Sequence, residues 1–404
     1  MHARSRGESA AHAHDTARAT LREPLELAVL GAGSWGTALA AASRRAGLST
    51  RLWSRRPDVA RAIRTTGCNP RHLPGIALPE GLQASDDLEW VLQGADVVLF
   101  AVPCGSLRDV AGAAAAALPP HALALATCKG VEPGTGQLMT QVLRETCAKG
   151  QPVGMLAGPS FADEVVRGLP TRLTLGMRAH PGAAATAAEL AKALRAAAIE
   201  LELCDDEIGV QVAGALKNPV AIACGMASAQ GLGENARAAI VARGLEDMRR
   251  LTVALGGRGE TLFRSSGVGD LFLTASSSHS RNTRLGMRLG ASAAHRAGAQ
   301  AGEGGELTEG ASASQALAVL ERRMQVALQV PRAVRDVLAG RCTAARALQR
   351  VLEQPQEQSQ AQPQEQSPPS PTRVAAHAPA GHGAPHDGGA VRVPGSVWNH
   401  RTVQ

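Results

Sequence analysis

Aromatic side chains are nearly missing from this 404-residue chain, which has four Phe, four Trp and no Tyr. Stacking platforms for single-stranded nucleic acid are therefore lacking, and the basic residues are dispersed, so no nucleic-acid partner is expected. Cysteine is sparse as well. The seven lie at 68, 104, 128, 147, 204, 224 and 342, no two form a C-x-x-C, and the number is odd. That disfavours a zinc site or a disulfide framework; no metal is expected, and a reducing cytoplasm fits. Long apolar runs are also absent. The longest charge-free run, 110–128, contains Pro119, Pro120 and His121, and no apolar segment follows the N-terminal arginines. Neither a membrane span nor a secretory signal is expected.

The net charge of +7 falls almost entirely within residues 25–353, and a basic body suits anionic ligands. Residues 1–24 show no apolar periodicity and read as a disordered extension. From 354 to 404 the chain repeats QPQEQS and then runs into Pro, Gly, His and Ala. Such a segment buries too little apolar surface to offset its ordering entropy, so a disordered Gln/Pro-rich tail is expected there.

Between these ends the pattern is first α/β. LELAVLG, STRLWS, DVVLFAV, ALALAT, VGMLAG, RLTLGM and IELELC read as buried strands, most of them separated by helical stretches. Apolar runs of this kind predict a doubly wound, mainly parallel sheet of the Rossmann type over 25–205. Helical periodicity then takes over at 207–228, 234–255, 282–291, 311–323, 331–338 and 343–352. An all-helical C-terminal domain is expected over 206–353.

The first strand runs into Gly31-x-Gly33-x-x-Gly36 and then into an Ala-rich helix. In that context the spacing is a dinucleotide fingerprint. The first glycine permits the tight turn, the second lets backbone approach a pyrophosphate, and the third lets helix and strand pack closely. The helix N-terminus adds free N–H groups and partial positive charge. A site for NAD would place an acid about 20 residues further on, to hold the ribose 2′-hydroxyl. No acid occurs between Glu26 and Asp58; the second strand instead ends in Trp53-Ser54-Arg55-Arg56. Guanidiniums match phosphate geometry, so NADPH is the expected cofactor, with NADH also admissible.

Lys129, at the end of the fourth strand, and Gly158-Pro159-Ser160-Phe161-Ala162, after the fifth, fall on the sheet edge where ligands bind. Lys217 stands alone in an almost uncharged helical stretch. Burial of that face lowers a lysine's pKa and suits it to proton transfer. Further on, Asp270 is read in a Gly-rich turn, and Ser280-Arg281-Asn282 just before a helix. The latter has the makings of a second anion site.

These segments resemble the NAD(P)-dependent glycerol-3-phosphate dehydrogenase family in its bacterial form, over about residues 25–350. The resemblance rests on Gly31–Gly36 with Ser34-Trp35, Asn69-Pro-Arg-His-Leu-Pro-Gly75, Ala101-Val-Pro103, Lys129-Gly130, Gly158-Pro-Ser-Phe-Ala162, Leu216-Lys-Asn218, Gly269-Asp270-Leu271 and Ser280-Arg-Asn282. It implies reversible reduction of dihydroxyacetone phosphate to sn-glycerol 3-phosphate, which feeds phospholipid synthesis. It implies that Ser34, Trp35, Arg55, Arg56 and Ala162 contact the cofactor, that Lys129 lies between cofactor and substrate, and that Gly158 and Ser160 line the substrate pocket. Lys217 would transfer the proton. Asp270, Ser280, Arg281 and Asn282 would hold the substrate, Arg281 also reaching the cofactor, with Leu307 and Glu309 closing over the nicotinamide. A homodimer is left open.

Two departures stand out. His72 replaces an aromatic usual in the family, at a position expected to be peripheral. Pro219 replaces a branched apolar residue, and is expected to remove a helical hydrogen bond and kink the helix that carries Lys217. Two rival readings remain at this stage: a β-hydroxyacid or 6-phosphogluconate-type dehydrogenase, and a non-catalytic NADP-binding sensor.

Overall fold

A computed structural model describes residues 25–291 and 309–353. The extensions expected at 1–24 and 354–404 lie outside the described residues, as does Leu307.

Ten strands are present among the described residues: β1 (Glu26–Leu30), β2 (Ser49–Trp53), β3 (Cys68–Asn69), β4 (Leu73–Ala77), β5 (Gln83–Ser85), β6 (Val97–Phe100), β7 (Leu123–Ala126), β8 (Val153–Ala157), β9 (Thr171–Met177) and β10 (Ile199–Cys204). Eight of them form one sheet in the order β10-β9-β8-β7-β6-β1-β2-β5. All neighbours are parallel except β8 and β9. Strand order reverses between β1 and β6, and the crevice beyond their carboxyl ends is where a doubly wound sheet takes its ligand.

The side-chain alternation of β1 feeds both faces of the sheet. Leu27 and Val29 join one apolar cluster, with Leu52 and Leu173, whereas Ala28 and Leu30 join the other, with Val98 and Phe100. Burial on both faces explains why β6, β7 and β8 are continuous apolar runs. The short β3–β4 hairpin and the three-residue β5 were not among the expected strands. They are partly exposed and interrupted by Pro74 and Gly75, so they show no periodicity.

The β8–β9 reversal decides where the helical part begins. β9 and β10 run against β8, so Cys204 ends at the edge opposite Gly158. The central helix, Glu207–Ala229, starts there and runs back toward the ligand edge, with its Gly214 packed on the Lys129 side chain. Its first turn is clamped to the sheet domain. The Glu207 carboxylate accepts two hydrogen bonds from Arg144, at 2.7 and 2.6 Å, and lies 3.1 Å from Arg178 Nε. The helix continues through Pro219 without interruption, held by burial on nearly all sides. Here packing overrides the local penalty of the missing N–H.

A third apolar cluster surrounds this helix. Helix Arg281–Ala291 crosses it at backbone contact. A Cβ on Gly225 would overlap the Thr283 carbonyl oxygen, and one on Gly286 the Ile222 carbonyl oxygen. No helix among the described residues is long and apolar enough to cross a membrane.

Candidate active site

The glycine loop divides its three positions as the spacing predicts. Gly31 has φ +116°, and a Cβ there would lie 2.5 Å from the Ala101 carbonyl oxygen. A Cβ at Gly36 would overlap the Gly31 carbonyl oxygen, so helix Ser34–Arg45 sits directly on the loop. At Gly33 an added Cβ would meet no protein atom. The backbone there faces open space, as a pyrophosphate cradle requires, and the helix behind it has no acid in its first turn. These residues fit a dinucleotide. A cleft of about 380 Å³ opens over Gly31 and Gly33 and reaches Arg55 and Arg56.

The turn at 69–72 closes one side of this cleft. Ser34 Oγ donates to the His72 carbonyl oxygen at 2.9 Å. His72 therefore lines the cleft instead of lying at the periphery, and the expectation for it is corrected. Trp35, in the first helical turn, has a buried indole N–H with no partner among the described residues.

At the carboxyl ends of β7 and β8 the cationic centre is assembled. Lys129 Nζ donates to the Gly158 carbonyl oxygen at 2.7 Å and to Ser160 Oγ at 3.1 Å, and forms an ion pair with Asp270 Oδ2 at 2.8 Å. Gly158 has φ +149°, and a Cβ there would press on the Arg172 carbonyl oxygen and Leu173, which explains the glycine. Ala162 begins the short helix Ala162–Val166 immediately beyond.

Asp270 is not in a loose turn. A π-helical turn over Ser265–Gly269 leads directly into helix Asp270–Ser276, whose first residue it is. The reading as a turn gave weight to Gly267 and Gly269, but Gly267 packs on the Leu262 backbone within a wound segment. Asp270 is fully buried, and its other oxygen accepts from Lys217 Nζ at 2.5 Å. Lys217 also donates to Thr274 Oγ1 at 3.0 Å, one helical turn beyond Asp270.

An ammonium has three N–H bonds. Lys129 donates to the Gly158 carbonyl oxygen and to Ser160 Oγ, and faces Asp270 Oδ2 as an ion pair without hydrogen-bond alignment. Lys217 has two acceptors among the described residues, Asp270 and Thr274, leaving one N–H for a ligand. Burial, with Asp270 opposing it and Lys129 assisting, brings the Lys217 ammonium down to about 8. Two ammoniums around one carboxylate leave the centre one positive charge in excess, in a place nearly closed to water.

Helix Arg281–Ala291 supplies the remaining groups. Ser280 Oγ accepts from the Thr283 amide at 3.3 Å at its N-terminus. Arg281 is exposed on the first turn. Asn282 is buried and donates to Asn218 Oδ1 at 3.0 Å, which links it to the residue after Lys217. Glu309 begins helix Glu309–Met324.

Two groups at this centre were assigned no role from sequence, Thr274 and Asn218. Thr274 stands four residues after Asp270, a helical spacing concealed by reading that stretch as a turn. Asn218 lies within the Leu216-Lys-Asn218 segment, so a signal was present without an assignment.

The comparisons agree with this architecture. Family models described as the NAD-dependent glycerol-3-phosphate dehydrogenase N-terminus and C-terminus match residues 26–183 and 206–349. The chain is 42% identical to glycerol-3-phosphate dehydrogenase [NAD(P)+] of Rhodospirillum rubrum, over 81% of this chain and 92% of that protein. It is 46% identical to the protein so named from Chelativorans sp., over 65% of this chain and 79% of that protein. The crystal structure of glycerol-3-phosphate dehydrogenase from Coxiella burnetii is similar with a TM-score of 0.74 and 33% identity, covering 81% of this chain and 98% of that one. With family models matching both parts of the chain, this chain belongs to the NAD-dependent glycerol-3-phosphate dehydrogenase family.

Proposed function

We propose that this chain reduces dihydroxyacetone phosphate to sn-glycerol 3-phosphate with NADPH, accepts NADH as well, and supplies the backbone of glycerophospholipids. The observation that carries the reading is the buried Lys217 ammonium, anchored on Asp270 and Thr274 with one N–H to spare.

Gly31, Gly33 and Gly36 hold the pyrophosphate, and Ser34, Trp35, Arg55 and Ala162 the rest of the nucleotide. When bound, the cofactor supplies the hydride for the carbonyl carbon. Arg281, Ser280 and Asn282 at a helix N-terminus anchor the substrate phosphate, and Gly158 and Ser160 line its pocket. Lys217 donates its proton to the carbonyl oxygen, and takes it back in the reverse direction. Its depressed pKa suits both tasks, and a positioned acid of this kind contributes about 10²–10⁴-fold. Lys129 stabilises negative charge as it develops on the substrate oxygen. Asp270 keeps both ammoniums in place.

The free thiols of all seven cysteines support a reducing cytoplasm as the place of work. The homodimer is part of the proposal and is measured by light scattering. The main test follows loss of reduced-nicotinamide absorbance when dihydroxyacetone phosphate is added to the purified chain with each cofactor. Turnover is expected with NADPH. Lys217→Ala is expected to bind NADPH as before and to lose most turnover; unchanged turnover would reject the assignment of the proton donor.

A further inference from the structure

The cleft beside the glycine loop holds more positive charge than the sequence reading gave it. Its walls include Arg55 and Arg56, just beyond the end of β2, and Arg71 of the β3–β4 turn. These three guanidiniums are not equivalent. Arg56 is already occupied: Nε and Nη2 donate to the two oxygens of Asp58 at 3.2 and 3.0 Å. That pairing satisfies the planar fork that would otherwise meet a phosphate. Neither Arg55 nor Arg71 has an ion pair or side-chain hydrogen bond among the described residues.

Arg71 is also held where it stands. It belongs to the turn of the β3–β4 hairpin, and that turn is fastened to the glycine loop by a buried asparagine. Asn69 Nδ2 donates to the Ala32 carbonyl oxygen at 2.9 Å and to Thr37 Oγ1 at 2.8 Å. Its Oδ1 accepts from the His72 amide at 3.2 Å, and Ser34 Oγ reaches the His72 carbonyl oxygen at 2.9 Å. The backbone on either side of Arg71 is thus tied to the loop that cradles the pyrophosphate. Little ordering cost remains beyond that of the side chain itself.

We infer that Arg71 and Arg55 together form the clamp that selects the 2′-phosphorylated dinucleotide, while Asp58 keeps Arg56 out of it. Both line the cleft, Arg55 from the end of β2 and Arg71 from the hairpin turn, so a 2′-phosphate held there meets two guanidiniums. A dinucleotide with a free 2′-hydroxyl gives them no anion to grip. The inference rests on the proposed use of NADPH and names the residues that discriminate it from NADH.

The test is titration of the purified full chain with NADPH and with NADH, read by nicotinamide fluorescence, for the native protein and for R55A, R56A and R71A. Arg71 is exposed, so its replacement leaves the core intact. R71A and R55A are each expected to weaken NADPH about 10- to 100-fold, as for loss of a charge-assisted contact, and to change NADH less than about twofold. R56A is expected to weaken NADPH less than about threefold. R71K is expected to recover part of the loss, and added salt to narrow the NADPH advantage of the native chain. Equal losses for both cofactors in R71A, no loss at all, or a larger loss in R56A than in R71A would overturn the inference and leave the proposed reaction standing. A native chain that binds neither dinucleotide would overturn the proposed function itself.

Discussion

Replacing Asp270 with Asn keeps the side chain's shape and removes the charge on which two ammoniums rest, Lys217 at 2.5 Å and Lys129 at 2.8 Å. The point-charge attraction over such a separation is about 6 kcal/mol at an effective dielectric of about 20. Removing one member of a buried pair costs about 3–5 kcal/mol in measured cases. Only part of that falls on the protonation of Lys217, because relaxation and Lys129 take the rest. A third of it, at about 1.4 kcal/mol per pH unit, moves the lysine by about one unit. In the native chain burial pushes Lys217 down to about 8; in the variant, without the carboxylate that opposes this, it titrates lower. The direction of the pH dependence follows from chemistry. Ketone reduction needs the ammonium, so kcat/KM for dihydroxyacetone phosphate falls as pH rises through the lysine's pKa. Oxidation of sn-glycerol 3-phosphate needs the amine and gains over the same interval. Both limbs are expected to lie at lower pH in D270N than in the native enzyme. The assay is the pH profile of kcat/KM in each direction, with thermal melts to confirm that the variant is folded. Limbs at the same pH in both proteins would refute the coupling between Asp270 and Lys217.

Two further predictions concern glycines that differ in what stands opposite them. Gly33→Ala is expected to leave thermal stability unchanged but to weaken NADPH and NADH together by about tenfold or more, as intrusion on a pyrophosphate cradle would; Gly36→Ala should instead fail in the melt itself, because its Cβ has nowhere to go. Gly225→Ala forces helix Arg281–Ala291 away from the central helix, at about 1–3 kcal/mol of overpacking, and shifts Arg281 and Asn282 with it. KM for dihydroxyacetone phosphate is expected to rise more than kcat falls, with dinucleotide affinity unchanged in fluorescence titration.

What the sequence made legible has a physical pattern. Strands covered on both faces, such as β6 and β7, appear as unbroken apolar runs and were readable. The β3–β4 hairpin was not, since it is held by Asn69 and by backbone bonds rather than by an apolar face. Gly31, Gly33 and Gly36 could be assigned because each meets a different constraint within one short loop. The engagement of Lys129 could not, for its two acceptors lie in the loop after β8 and its ion-pair partner in a helix more than a hundred residues away. Lys217 stood out as a lone charge in an apolar helix; its partner Asp270 was noticed too, but as a turn residue, because the glycines around it imitate a loop. Arg56 shows the opposite case. Its nearest acid is only two residues away in sequence, yet that spacing alone does not distinguish a local ion pair with Asp58 from a guanidinium open to a ligand.

The strand reversal at β8–β9 makes the central helix a measuring rod. It starts at the far rim of the sheet and must deliver an amine to the near rim. Glu207 and Lys217 are ten residues apart, about 15 Å at the helical rise; β8 is five residues long, about 16 Å at the strand rise. The two lengths agree, and the aim of the Lys217 amine is written as a residue count. Side chains between the two ends are free to change so long as they pack. One residue added or removed there would swing the amine about 100° around the helix axis, past both Asp270 and Thr274. Evolution of this enzyme can edit the letters of that stretch, but not its number.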